Sequence, residues 1–89
     1  MSTNEYRFRL FVAGNEPNSR LAEQNLRALC QEYLPDRHDI EIVDVLTDFE
    51  AALNAQIMVA PAVVMEAPRS VTLFGTLANK AAVMSALAL

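Results

Sequence analysis

A chain of 89 residues is one domain's worth of polypeptide, enough to bury roughly 60–65 % of its unfolded surface but not to hold a wide active-site cleft beside a core. Hydrophobic residues make up 53 % and charged residues 20 %, which excludes disorder and leaves a charge-poor surface suited to a protein partner. A net charge of −4 from seven Lys and Arg against eleven Asp and Glu, with a pI near 4.8, disfavours nucleic acid as a partner, because phosphate binding needs a clustered positive field.

Alternation from Tyr6 to Val12 predicts a strand with Tyr6, Phe8, Leu10 and Val12 on one face and Arg7, Arg9 and Phe11 on the other. Past "GNEPNS", the spacing of Leu21, Ala22, Leu26, Leu29, Cys30 and Tyr33 predicts a helix from about Ser19 to Leu34, ended by Pro35 and Asp36. The β-branched run "DIEIVDVL", Asp39–Leu46, predicts a second strand, parallel to the first because a helix joins them. "TDFE" has the Thr-x-x-Glu spacing of a capping box, so Thr47 and Glu50 are expected to open a short helix reaching about Asn54. In "IMVAPAVVM", Pro61 cannot donate to a ladder, which places the third strand after it, at Ala62–Glu66. "RSVTLF", Arg69–Phe74, is a fourth strand broken by Gly75, and the alanine- and leucine-rich end predicts a helix with Leu77, Ala81, Met84 and Leu87 on one face.

The order βαβαββα, with no internal repeat or linker, makes residues 1–89 a single α/β domain. It is the order of a thioredoxin-like fold: a mixed four-stranded sheet, first and third strands central, helices on both faces. Ala60-Pro61 stands at the entry to the third strand, where that fold holds a cis-proline, and Pro61 is expected to be cis. The polar N-terminus lacks an apolar signal core and no apolar run approaches the roughly 18 to 20 residues of a membrane span, so a soluble, unprocessed cytoplasmic protein without a membrane partner is expected. Cys30 is the only cysteine, consistent with a reducing compartment and excluding an internal disulfide.

Thioredoxins carry redox cysteines in the loop after their first βα strand, at a helix N-terminus that stabilises a thiolate. "GNEPNS" occupies that place here, and Asn15, Asn18 and Ser19 cannot exchange thiols. Three stretches resemble the KaiB family of circadian clock proteins and the related sensor domain of the SasA histidine kinase: "LFVAGNEPNS" (10–19), "IVDVLTDFEAALNAQIMVAPAVV" (42–64) and "PRSVTLFGTL" (68–77). The first matches an Ala-Gly-Asn-x-Pro-Asn-Ser signature almost letter for letter. The third departs from the family, with Arg69 alone where two basic residues are usual and Gly75-Thr76-Leu77-Ala78 where Gly-Asp-Leu-Ser is usual.

The resemblance implies a non-enzymatic module, without cofactor, that docks on a KaiC-like RecA-type ATPase and regulates it, partly through the edge of the second strand at Glu41, Val43 and Val45. It also places the loop residues Asn15, Pro17 and Asn18 near an interface, although turn and cap preferences alone explain the two asparagines. Arg7 and Arg9 lie on the face that only the short helix covers, as partner contacts or as cover over apolar surface. The KaiB branch is known for switching its C-terminal half between two folds, but the alanine content of the last segment favours its helical state. Alternative readings are an adaptor for a histidine kinase, a self-associating protein, and a glutathione- or peptide-binding enzyme whose loop offers only Ser19 as nucleophile. Cys30, Met58, Met65 and Met84 are read as core, His38 as a solvated loop residue rather than a metal ligand, and Asp44 as a structural hydrogen-bonding acid.

Overall fold

In the computed structural model, which describes residues 5–89, the first alternating run forms β1 (Tyr6–Val12). It is followed by α1 (Pro17–Tyr33), β2 (His38–Asp44), α2 (Phe49–Asn54), β3 (Ala62–Ala67), β4 (Val71–Phe74) and α3 (Lys80–Leu87). The first residues of the polar N-terminal stretch, 1–4, lie outside the described residues. The sheet order is β2-β1-β3-β4, with β2 parallel to β1, and with β3 antiparallel to both β1 and β4. The first and third strands are therefore central, as expected.

Alternation along β1 divides the interior in two. Phe8, Leu10 and Val12 face α1 and α3, where Ala22, Leu26, Leu29, Cys30, Leu34, Val83 and Leu87 close a continuous buried cluster with Val63 and Met65. Phe11 faces the other way into a smaller cluster with Val43, Ala52, Ile57 and Ala62. Full burial of each large apolar side chain contributes roughly 1.5–3 kcal/mol, so the α1/α3 side supplies most of the hydrophobic stabilisation.

The structure corrects several expected boundaries. α1 starts two residues early, with Pro17 in its first turn and Glu16 as N-cap, its carboxylate accepting from the Asn18 and Ser19 amides. Pro fits there because the first helical N–H groups have no intrahelical acceptor. The Thr47/Glu50 capping box does not form: Asp48 is the N-cap, accepting from the Ala51 N–H, while the Thr47 hydroxyl donates to the Asp44 carbonyl. β2 stops at Asp44 rather than Leu46 because the Asp44 carbonyl accepts from the Thr47 and Asp48 amides, which folds the chain into a turn. β4 begins at Val71 rather than Arg69, after a cis Ala67-Pro68 bond in the hairpin. Ala60-Pro61 is cis, as expected.

The stripe on α3 also shifts: Val83 and Leu87 are buried and Ala81 is exposed. Leu21 and Tyr33, read as part of the inward stripe of α1, lie at the surface, and Leu34 is buried in their place. Asn79 caps α3 through the Ala82 N–H. Two cross-links hold this helix region to α1: Asn25 Nδ2 donates to the Thr76 carbonyl at 2.8 Å, and Lys80 meets Glu32 at 2.7 Å while lying over the Tyr33 ring.

Candidate functional site

The C-terminal ends of β1 and β2, the loop at residues 13–16 and the loop before Pro61 converge at one end of the sheet. Gly14 has φ +55°, a left-handed conformation, and a Cβ there would stand 3.2 Å from Leu46 Cδ1. The left-handed backbone favours glycine, and a side chain there would have to displace the Leu46 tip. Asp44 ties the two loops together, its Oδ1 accepting from Gly14 N at 3.1 Å and from Leu46 N at 3.0 Å. Its structural role is as expected.

The opening of α1, where thioredoxins present cysteine, is closed to chemistry. Ser19 is 1 % exposed and its Oγ accepts the Ala13 N–H at 3.0 Å. Glu16 Oε1 takes the Asn18 and Ser19 amides at 2.6 and 3.3 Å. Donors that would otherwise meet an anion or a thiolate are thus engaged within the chain. Asn15, Pro17 and Asn18 are exposed around this closed turn.

Around the cis-proline loop the surface is apolar. Leu46 (71 % exposed), Phe49 (64 %), Met58 (83 %) and Val59 (61 %) stand out with Leu53. Met58 is therefore a surface residue rather than core, while Met65 is buried and Met84 half-buried. A cavity of about 190 Å³ lies among Val45, Phe49, Leu53, Ile57, Met58 and Val59. Sequence reasoning passed over this patch because a short helix with apolar residues on several sides reads as core. The detectable signal was excess: α2 is too short to bury Phe49 and Leu53 in addition to Ala52.

The β2 edge is open, and the hydrogen bonds from Tyr6 N to Arg37 O and from Val45 N to Val12 O fix which groups face outward. In a parallel ladder these bonds turn the odd-numbered residues of β2 towards β1, so the backbones of Ile40 and Ile42 face the free edge. Of the side chains expected to meet a partner there, Glu41 is exposed, Val45 is half-buried and Val43 is in the core. Val43 therefore presents no side chain to a partner.

Arg7 is exposed. Arg9 lies between Glu41 and Glu66, its Nε 3.2 Å from Glu41 Oε1 and Nη1 3.9 Å from Glu66 Oε2, with the guanidinium over the Phe11 ring. The Nε–H is near enough to Glu41 for an ion pair but is not aimed along a hydrogen bond, so this buried donor remains unmatched. Beside it opens a cleft of about 410 Å³, reaching Asn54, Val64 and Thr72. Arg9 covers Phe11 and lines this cleft.

No cluster of three metal-ligating side chains exists among the described residues. His38 is the first residue of β2 rather than a loop residue, and its Nδ1 lies 2.7 Å from the Leu34 carbonyl, which requires the proton on Nδ1. Cys30 is fully buried, and desolvation pushes its thiol up to about 12, against a smaller opposing effect of Arg27. A neutral buried thiol of this kind is a core residue.

A thioredoxin-like sheet whose first-helix turn is hydrogen-bonded shut, flanked by a free strand edge and an apolar patch, defines a variant of the fold without the redox cysteine pair. Similar solved structures include yeast mitochondrial thioredoxin 3 in its oxidised form (TM-score 0.75, 17 % identity, 99 % of this chain and 82 % of that one). Fasciola hepatica thioredoxin is comparable (TM-score 0.75, 20 % identity, 98 % and 82 % covered). At such identities the likeness concerns the fold alone. The KaiB domain family model matches residues 9–88, and the chain belongs to the KaiB family. It is 37 % identical over 68 residues to the circadian clock protein KaiB3 of Synechocystis sp. strain PCC 6803, covering 76 % of this chain and 67 % of that protein. No helix among the described residues is long and apolar enough to cross a membrane.

Proposed function

We propose that this KaiB-family chain is a non-catalytic, cytoplasmic binding module that docks on a KaiC-type RecA-like ATPase and regulates its cycle. The observation carrying this reading is the closed redox turn: Ser19 and Glu16 occupy the donors and space where the fold otherwise presents its nucleophile. What stays accessible is recognition surface, above all the outward backbone of Ile40 and Ile42 on the β2 edge, to which a partner strand can add. The glutathione- or peptide-binding enzyme is disfavoured, since its sole candidate nucleophile, Ser19, is buried and hydrogen-bonded. A histidine kinase partner uses the same edge and is a second outcome of the same test.

The test is binding of the purified chain to a KaiC-type RecA-like ATPase, read by sedimentation velocity and by the phosphorylation state of the ATPase. Binding is expected, with loss in Ile42→Pro, which deletes an outward N–H that an edge strand can spare for its own fold. Ile42→Val is expected to bind as the wild type does. Retained binding in Ile42→Pro, or none in the wild type, contradicts the proposal.

A further inference from the structure

We propose that the apolar face built by the end of β2, α2 and the loop before Pro61 docks a basic amphipathic helix of a protein partner. This deepens the binding-module reading and rests on it, naming a second surface beside the strand edge and the chemistry it takes.

Five of the eight large apolar side chains exposed among the described residues fall in one segment, Leu46, Phe49, Leu53, Met58 and Val59. Four of them, Phe49, Leu53, Met58 and Val59, are continuous, because they line the cavity of about 190 Å³ between α2 and the following loop together with buried Ala52 and Ile57. That cavity has room for one or two apolar side chains. Phe49 and Leu53 stand one turn apart on α2, so the exposed ridge has helical spacing. The walls are a helix and a loop, and neither belongs to the sheet. A helix laid in the groove is the occupant that fits such walls.

Charge decides among occupants. From residue 38 to residue 68 the chain has no Lys or Arg; the stretch that ends β2 and opens α2 carries Asp44, Asp48 and Glu50, whereas Asp39, Glu41 and Glu66 lie further along the sheet beside Arg7 and Arg9. Glu41 and Glu66 face Arg9. Asp44 and Asp48 accept backbone amides through Oδ1, while Glu50 is exposed in the first turn of α2 with no ion-pair partner among the described residues. A second copy meeting this face through a two-fold interface would set the acidic rim against itself. An anionic bilayer is repelled in the same way. A partner helix with apolar residues at three- and four-residue spacing and Lys or Arg on its flanks matches both the groove and its rim.

The experiment titrates the isotope-labelled full chain with a synthetic Leu/Lys amphipathic peptide of about 18 residues, long enough to hold a helix, and with its Leu/Glu counterpart. Saturable amide shifts clustered at residues 45–60 are expected with the Leu/Lys peptide alone, weakening as salt is raised from about 0.05 to about 0.5 M. Phe49→Ser is expected to weaken binding about tenfold and Glu50→Lys a few-fold, the usual range for a central anchor and a rim charge. Should Phe49→Ser lose its thermal transition, Met58→Ser in the exposed loop tests the same patch. Absence of saturable shifts, shifts elsewhere, equal binding of both peptides, or a dimer that protects residues 45–60 without peptide overturns the proposal. ATPase binding without peptide docking refutes this inference alone, and peptide docking without ATPase binding refutes the module reading alone.

Discussion

The two faces of the sheet are covered very differently. On one, α1 and α3 bury Phe8, Leu10 and Val12 under a continuous layer that includes Leu26, Leu29, Cys30 and Leu87. On the other, the six-residue α2 buries little beyond Ala52 over Phe11 and leaves Phe49 and Leu53 outside. An element of that length cannot cover a sheet face, and the surface it leaves is apolar, acidic-rimmed and next to an open strand edge. Stability is thus concentrated on one side of the sheet and accessible binding surface on the other.

Substitutions should break this contrast in graded fashion. Leu26→Ala, on the closed face, is expected to cost about 2–5 kcal/mol in denaturant unfolding, by lost transfer energy and a residual cavity. Ser19→Ala strands the Ala13 N–H and should cost about 1–3 kcal/mol, without a compensating gain in any thiol or hydrolytic activity. Asp48→Ala removes the α2 cap and should cost about 1 kcal/mol, visible chiefly as faster amide exchange in α2 while α1 remains protected. Phe49→Ser should stay within about 0.5 kcal/mol of the wild type, as an exposed position allows; a loss as large as that of Leu26→Ala would mean that the α2 face is core after all.

Cys30 sharpens the contrast through pH. The folded thiol keeps its proton up to about 12 and the unfolded one only to its ordinary value of 9.0. Between those values the folded state binds more protons, so stability falls as pH rises through the window and is unaffected below it. Wild type should therefore lose stability more steeply than Cys30→Ala above pH 9.0, with no thiol labelling of the native chain at neutral pH.

Strand periodicity made β1 legible down to which side chains face which helix, because alternation on a central strand has one solution once one face is buried. The β-branched run of β2 and the alanine content of α3 were legible for the same local reasons. The helix starts were not. Thr47 and Asp48 are both good caps, and the choice went to Asp48 because the Asp44 carbonyl claims the Thr47 hydroxyl. Pro17 and Glu16 begin α1 before the apolar stripe does, since capping needs no apolar residue. At the site, the loss of the redox pair was plain in "GNEPNS". Ser19 is buried where its hydroxyl meets the Ala13 amide, and the burial of Val43 and exposure of Met58 depended on which part of the sheet end α2 covers, which no residue type announces. The expected roles of Arg7, Asn15, Pro17 and Asn18 remain proposals, resting on their exposure beside the free edge and the closed turn.

Hydrogen–deuterium exchange of the full chain, alone and mixed with a KaiC-type RecA-like ATPase of the proposed kind, tests directly whether the end of the fold without redox chemistry serves recognition. The account predicts new protection at residues 13–18 and 40–60 and none along the outer face of α1 around Arg27 and Gln31. Protection confined to α1 and α3, with the β2 edge and the α2 face exchanging as in the free chain, would contradict it.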